Sequence, residues 1–355
     1  MTAAPPQAVS VITCVGPELD RLMPEWSALA DECGRTFYAR PSYSISWWSA
    51  LGRGELAVFR VRRGDRLVAL APLHRRRLLG QRVLRLLGHG LGTVGEILVS
   101  DDAAALALWD GIAADTAVVQ LTHVRPDDAA ILSLRRHPRW QQHIEINDRC
   151  PVTFLAATST AGDLRSHRTL RQFARYRAGL GHAETPFDVE VIDDLDGLRR
   201  RWADIVRVAA LADAGRRRQN VFDCPWVTFV RAFLEREAKN GTLLVFGATA
   251  GGRWVAHDIG FRCGRMLAQW VSRFDPARAA QSPGHLILEW LVNHHDELGI
   301  DTIDSLLGES AFKLSWANSG YDVATVTAAP TGLTVARARL GVAGALGTTA
   351  RAVSR

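Results

Sequence analysis

The sequence predicts an α/β (α+β) protein of two tandem units, each a mixed, mainly antiparallel sheet flanked by helices. Three observations lead there. Apolar residues recur at helical spacing in segments such as 17–33, where Leu19, Leu22, Trp26 and Leu29 share one side. Between such segments lie apolar runs of strand length separated by turn dipeptides, Gly64-Asp65, Gly251-Gly252 and Cys263-Gly264 among them. The order helix, antiparallel strands, helical crossover, strand then occurs twice along 355 residues, a length that lets each unit bury its own core.

In order, the first unit reads as a strand at 9–15, helices at 17–33 and 44–51, and strands at 56–62, 66–72, 82–87 and 96–99. A helix at 102–115, a strand at 117–124, a short helix at 127–136 and strands at 140–146 and 152–155 complete it. The second unit opens on a basic helix at 164–180, followed by a strand at 187–192 and helices at 195–212 and 225–238. Strands at 242–249, 253–262 and 265–274, the crossover described below, and strands at 322–327 and 332–336 end it. The boundaries expected are therefore 1–155, 156–340 and a flexible tail at 341–355.

Composition bounds the class. The protein carries a net charge of +6, almost all its positive charge being arginine, since Lys239 and Lys313 are the only lysines. No run approaches the roughly 18 to 20 apolar residues of a spanning helix. The N-terminal residues lack the basic and apolar regions of a signal peptide. Cys14, Cys33, Cys150, Cys224 and Cys263 are odd in number and have no CxxC spacing, as in reduced thiols of a cytoplasmic protein.

The stretch from Met266 to Trp316 carries the most chemistry. A strand ending at Phe274 feeds Asp275-Pro276 and then Ser282-Pro283-Gly284, after which Leu286, Ile287, Trp290, Leu291 and Leu298 mark a helix closed by Gly299. Glu289, Asn293, Asp296 and Glu297 supply its expected wet face, and 302–307 reads as a buried strand ending at Gly308. A glycine at a helix mouth leaves backbone N–H groups and the positive end of the dipole facing an anion. In the first unit the corresponding Ser100-Asp101-Asp102-Ala103 has two acids, which cap a helix and repel a pyrophosphate.

Phe274-Asp275-Pro276, Ser282-Pro283-Gly284, Asp304, Gly308-Glu309, Phe312-Lys313 and Trp316, in that order and spacing, resemble the C-terminal half of the CelD-like acyltransferases of the GNAT superfamily, relatives of the Fem-type peptidyltransferases. Trp47-Trp48 and the strand pair after it are similar to the opening half of the family. The resemblance implies direct transfer of an acyl group, acetyl first, from acetyl-CoA or another acyl-CoA to an amine of a sugar, amino acid or other small metabolite. No metal is expected. In the loop Arg278-Ala279-Ala280-Gln281-Ser282-Pro283-Gly284-His285 the family's acceptor pattern keeps one glycine and loses the other.

Transfer to an ammonium needs a base and a means of stabilising an oxyanion. His257, with its neighbour Asp258, Asp304, Glu309 and Lys313 are the catalytic candidates. Phe274, Arg278, Ser282, Gly284 and His285 are placed to hold the donor, and Trp270, Asp275, Phe312 and Trp316 to line the acceptor site. The first unit is then the acceptor side, without a donor loop. Arg165, Arg168, Arg171, Arg175 and Arg177 on the basic segment, like Arg75-Arg76-Arg77, suit a phosphate or a solvated face equally. Aminoacyl transfer from charged tRNA or an acyl carrier protein donor is the rival enzymatic reading, and an accessory role in polysaccharide or natural-product assembly the non-enzymatic one. Gly90-Leu91-Gly92-Thr93-Val94-Gly95 matches a dinucleotide fingerprint by letters but leads into a strand. His123-Val124-Arg125-Pro126-Asp127 is a turn, and His294-His295-Asp296 lies on a helix in a poor geometry for metal.

Overall fold

The computed structural model describes residues 7–78, 80–91, 94–115, 117–181, 186–214 and 220–331. The chain divides into two compact units, Met1–Arg149 with Tyr321–Arg355, and Cys150–Gly320.

The first unit contains β1 (Gln7–Ile12), α1 (Pro17–Glu32), α2 (Pro41–Leu51), β2 (Glu55–Arg63), β3 (Arg66–Leu78), β4 (Gln81–Leu86), β5 (Leu98–Val99), α3 (Asp102–Ala113), β6 (Val118–Val124), α4 (Ala129–Arg136) and the first part of β7 (Trp140–Phe154). Strands β1 to β4 form an antiparallel meander, and β6 joins β4 in parallel after the α3 crossover. Phe59, Val61, Leu73, Leu84 and Leu121 pack against Leu108, Trp109 and Ile112 of α3. Each such side chain withdrawn from water is worth roughly 1.5–3 kcal/mol. Asp101 caps α3 by accepting from Ala104 N at 2.8 Å and pairs with Arg63, so the acids at this helix mouth are consumed locally.

The second unit runs through the rest of β7, α5 (Ala161–Leu164), α6 (His167–Leu180), β8 (Asp188–Ile192), α7 (Leu195–Asp213), α8 (Val227–Lys239), β9 (Leu243–Ala250), β10 (Arg253–Cys263) and β11 (Met266–Phe274). A 3-10 turn (Pro276–Gln281), α9 (Pro283–Asn293), β12 (Thr302–Asp304), α10 (Ala311–Leu314) and the start of β13 (Ser319–Pro330) follow. Its strand order is β7-β12-β11-β10-β9-β8, with β11 and β12 parallel and the others antiparallel. The repeat of meander, helix and parallel strand is thus present in both units.

Four sequence expectations change. Trp140–Phe154 forms one strand in place of two, its extended backbone continuing through Asn147-Asp148. The last strand belongs to the first unit, not to a second domain reaching residue 340: Ala324–Ala328 pairs with Val124–Val119 of β6. The strand expected at 302–307 stops at Asp304, since Leu306 takes a left-handed φ of 54°. Helix α9 ends at Asn293, where His294 Nδ1 donates to Trp290 O at 2.8 Å and His295 Nδ1 to Ile300 O at 2.6 Å. The strand expected at 332–336 and the tail at 341–355 lie outside the described residues, as do Gly92 and Thr93.

Candidate active site

Strands β11 and β12 pair only over Met266–Ala268 and Thr302–Asp304. Beyond that point β11 continues while the chain leaving β12 turns away at Leu306, so the parallel ladder parts. A polar chain fills the parting. Ser305 Oγ donates to Gln269 Oε1 at 3.0 Å, Gln269 Nε2 donates to Asp258 Oδ2, and Ser272 Oγ donates to Asp258 Oδ1 at 2.9 Å. Asp258 is buried and Ser272 is exposed, so the chain leads from an interior carboxyl to the surface.

The register explains how two residues three apart on β11 reach one carboxyl. In a regular strand Gln269 and Ser272 point to opposite faces. The pairing of β10 with β11 shifts between Ile259 and Gly260, and this bulge turns both onto the face of Asp258. Burial raises the Asp258 carboxyl to about 6, the bonds from Ser272 and Gln269 and the Lys313 charge pulling the other way. Lys313 Nζ donates to Leu307 O at 2.5 Å and Leu306 O at 3.4 Å, and Asp304 accepts from Leu306 N at 2.8 Å. These two charged residues clamp the turn that follows β12.

His257 does not join this group. It alternates with Asp258 along β10 and faces the opposite side, near Phe222 and Arg273, the latter paired with Asp213 of α7 at 3.0 Å. Neither imidazole nitrogen has a hydrogen-bond partner among the described residues, and burial followed by the Arg273 charge lowers its pKa to about 3. His257 therefore stands apart from the Asp258 chain, on the other face of the strand. Asp304 is buried, and its Oδ1 accepts from the backbone N–H of Leu306. Glu309 is exposed beside Ser310, which caps α10.

At the helix mouth Ser282 adopts φ 45°, ψ 56°, the left-handed position that glycine favours, and Asp275 caps the preceding turn by accepting from Ala277 N at 3.0 Å. Pro283 has no N–H, and His285 N is bonded to Ser282 O at 2.9 Å, so of the first three helical residues Gly284 alone offers its N–H. A Cβ on Gly284 would meet only Phe312, at 3.6 Å. Arg278 stands half-buried on the turn and Phe274 half-buried before it.

His285 and Trp316 belong to an aromatic pile. Trp316 Nε1 donates to His285 Nδ1 at 3.0 Å, His285 stacks on Phe173 at 5.5 Å, and Phe312 closes the pile at 4.7 Å. Burial and then the Arg165 charge lower His285 to about 4, so it is neutral with its proton on Nε2. The Trp270 ring packs on Phe233 and Phe261, on the side of α8.

The basic segment divides into two groups. Arg177 pairs with Glu289, which is buried and not on a wet face, and Arg165 donates to Ser315 O while covering Trp316 at 5.3 Å. Arg168, Arg171 and Arg175, spaced by three and four, are exposed on one face of α6 and have no ion pair among the described residues. Helix α6 packs against the 3-10 turn that leads into α9. The sequence reading missed Gln269, Ser272 and Ser305; a glycine inside a strand, Gly260, was the available sign of the bulge that gathers them.

Residues 165–314 match the family model described as an acetyltransferase (GNAT) domain. This GNAT match covers the parting strands, the helix mouth and Lys313. No curated protein sequence matches the chain. Among solved structures, FemX aligns with a TM-score of 0.60 at 10% identity, over 89% of this chain and 96% of its own. The C-terminal domain of a proposed lysylphosphatidylglycerol synthetase from Agrobacterium fabrum gives a TM-score of 0.55 at 10% identity, over 87% and 91% of the two chains. A conserved protein of unknown function from Bacteroides thetaiotaomicron gives 0.50 at 12% identity, over 90% and 100%. At these identities the likeness concerns the fold.

Proposed function

We propose that the GNAT domain transfers an acyl group from an acyl-CoA thioester to an amine of a small metabolite, the resemblance to CelD-like enzymes favouring acetyl. The observation that carries this reading is the parting of β11 and β12 over the Asp258 carboxyl, with the Gly284 helix mouth leaving the same strand. The Gly284 N–H and the unpaired arginines of α6 suit the phosphates of such a donor. An acceptor ammonium gives its proton through the Ser272 hydroxyl to Asp258. The neutral nitrogen then attacks the thioester carbonyl, the C–N bond forms, the C–S bond breaks with the electron pair leaving on sulfur, and the second proton lost by the nitrogen ends on that thiolate. Lys313 is a positioning residue that holds the turn after β12. Gly284→Asp places a carboxylate at the mouth where no side chain stood. Calorimetry is expected to show micromolar binding of acetyl-CoA by the parent chain and loss of at least tenfold in the variant. Equal affinity in both would remove the mouth from the donor site.

A tRNA-borne acyl donor is the second reading, favoured by the stripe Arg168, Arg171 and Arg175. Its signature is RNA binding that falls steeply with salt and weakens on replacing the stripe with glutamine.

A further inference from the structure

In the first unit, the pairing of β3 with β4 and of β4 with β6 sets His74 opposite Arg85 and Arg85 opposite Gln120, so one row of side chains leaves one face of the sheet. Arg76 stands two residues from His74 on that face. His89, in the turn after β4, approaches it too, its Nδ1 lying 3.1 Å from Thr122 Oγ1. Half-buried arginines elsewhere in this unit meet carboxylates, Arg35 facing Asp128 at 2.5 Å, although its Nε is also without a partner among the described residues, and Arg75 facing Asp115 at 2.5 Å. Arg85 instead donates to the neutral amide oxygen of Gln120.

Two donors in this region have no acceptor among the described residues. The Arg85 Nε–H is buried and unbonded, and so is the indole N–H of Trp47, whose ring centroid lies 5.4 Å from that of His74. Buried donors are almost always satisfied, so an orphaned pair beside a group of cations marks a missing acceptor. His74 is itself 2% exposed, with Nδ1 donating to Arg53 O at 3.2 Å and a buried Nε2 that bonds nothing.

We propose that this row binds an oxyanion, a carboxylate or a phosphate, through the Arg85 guanidinium with Trp47 and His74 beside it. The charged and titratable groups facing it are Arg76 from β3, Arg85 from β4, His89 from the following turn and His123 near the end of β6. Burial first, and then these like charges, lower Arg85 to about 10, His74 to about 4 and His89 to about 3. An anion in their midst reverses that repulsion, and the proton His74 then takes up on Nε2 supplies one more donor. The site stands on the first unit alone and is independent of the acyl-transfer reading.

The test titrates the full chain with inorganic phosphate and, separately, with acetate, at low and constant ionic strength. Heat and tryptophan fluorescence are both followed, since Trp47 and Trp48 flank His74 at 5.4 and 6.0 Å. Saturable binding is expected, weakened tenfold or more in Arg85→Gln and in Arg76→Ala and unchanged in Arg77→Ala, which alternates to the other face of β3. Circular dichroism reports folding, and Arg76→Ala carries the test if Arg85→Gln does not fold. Binding of phosphate alone assigns a phosphoryl ligand; binding of acetate assigns a carboxylate. The proposal is overturned if the folded parent binds neither anion, or if Arg85→Gln and Arg76→Ala both bind as the parent does.

Discussion

Asp258 and His257 are neighbours in sequence with opposite fates. Both were visible as candidates on a middle strand, and strand alternation alone requires that only one of them face a given side. Which side carries α9 and the parted strands depends on the packing of helices far along the chain, so two adjacent letters could not decide it. The pH consequence lies with Asp258. Raised to about 6, its carboxyl is ionised at neutral pH and becomes protonated below that value, so a reaction that uses it as base falls about tenfold for each pH unit below 6. Asp258→Asn is expected to lower kcat by about 100- to 10,000-fold with little change in donor affinity, and to abolish that acid limb. A variant that retains the parent profile would show that the base lies elsewhere. Ser272→Ala, which cuts the link from the carboxyl to the surface, is expected to lower kcat in the same direction by a smaller factor.

At the scale of elements, the bulge in β11, opposite Ile259 and Gly260 of β10, does what no single residue can. Gly260 sits at the register shift, and a Cβ there would lie 2.8 Å from Leu267 Cδ1 and 2.9 Å from the carbonyl of Ala268. Because backbone cannot yield as a side-chain tip can, Gly260→Ala is expected to cost about 1–3 kcal/mol, read as a lower midpoint in urea unfolding. It is also expected to lower kcat, since β11 must shift just where Gln269 reaches Asp258. The repeated helix, meander and crossover pattern was legible in the sequence because it rests on local periodicity. The ends of elements were less so. The strand after α9 stops short because Asp304 turns its carboxylate onto Leu306 N, and α9 stops short because two histidines close it before Gly299 does. Such side-chain bonds to backbone compete with regular structure without altering the apolar pattern.

Across the whole molecule, burial keeps histidines neutral in both units: His74 and His285 are lowered to about 4, His89 and His257 to about 3. Their folded values lie below the unfolded value of about 6.5, so the stability tied to neutrality is intact above that pH and is lost as pH falls towards 4. Asp258 has the opposite sign, its contribution being present below about 4 and lost as pH rises through 6. His257 isolates the first effect. With neither ring nitrogen bonded among the described residues, His257→Leu strands no partner there, and its stability at pH 7.5 is expected to lie within about 1.5 kcal/mol of the parent. Between pH 6.5 and 4 its urea midpoint is expected to fall less steeply than that of the parent. Parallel slopes would show that His257 titrates alike in the folded and unfolded chains.

The return of β13 to β6 sets an order of events during synthesis. Cys150–Gly320 is one uninterrupted stretch whose ends are tied together, Asn318 N donating to Val152 O at 3.1 Å, so every partner it needs has been made once Gly320 emerges from the ribosome. The first unit, although translated first, must wait for Tyr321–Pro330, and until then β6 presents an unsatisfied edge along Val119–Val124. Nascent chains stalled just after Gly320 are therefore expected to protect the later-made unit from protease while the earlier-made one is still cleaved, the reverse of the usual N-to-C progression.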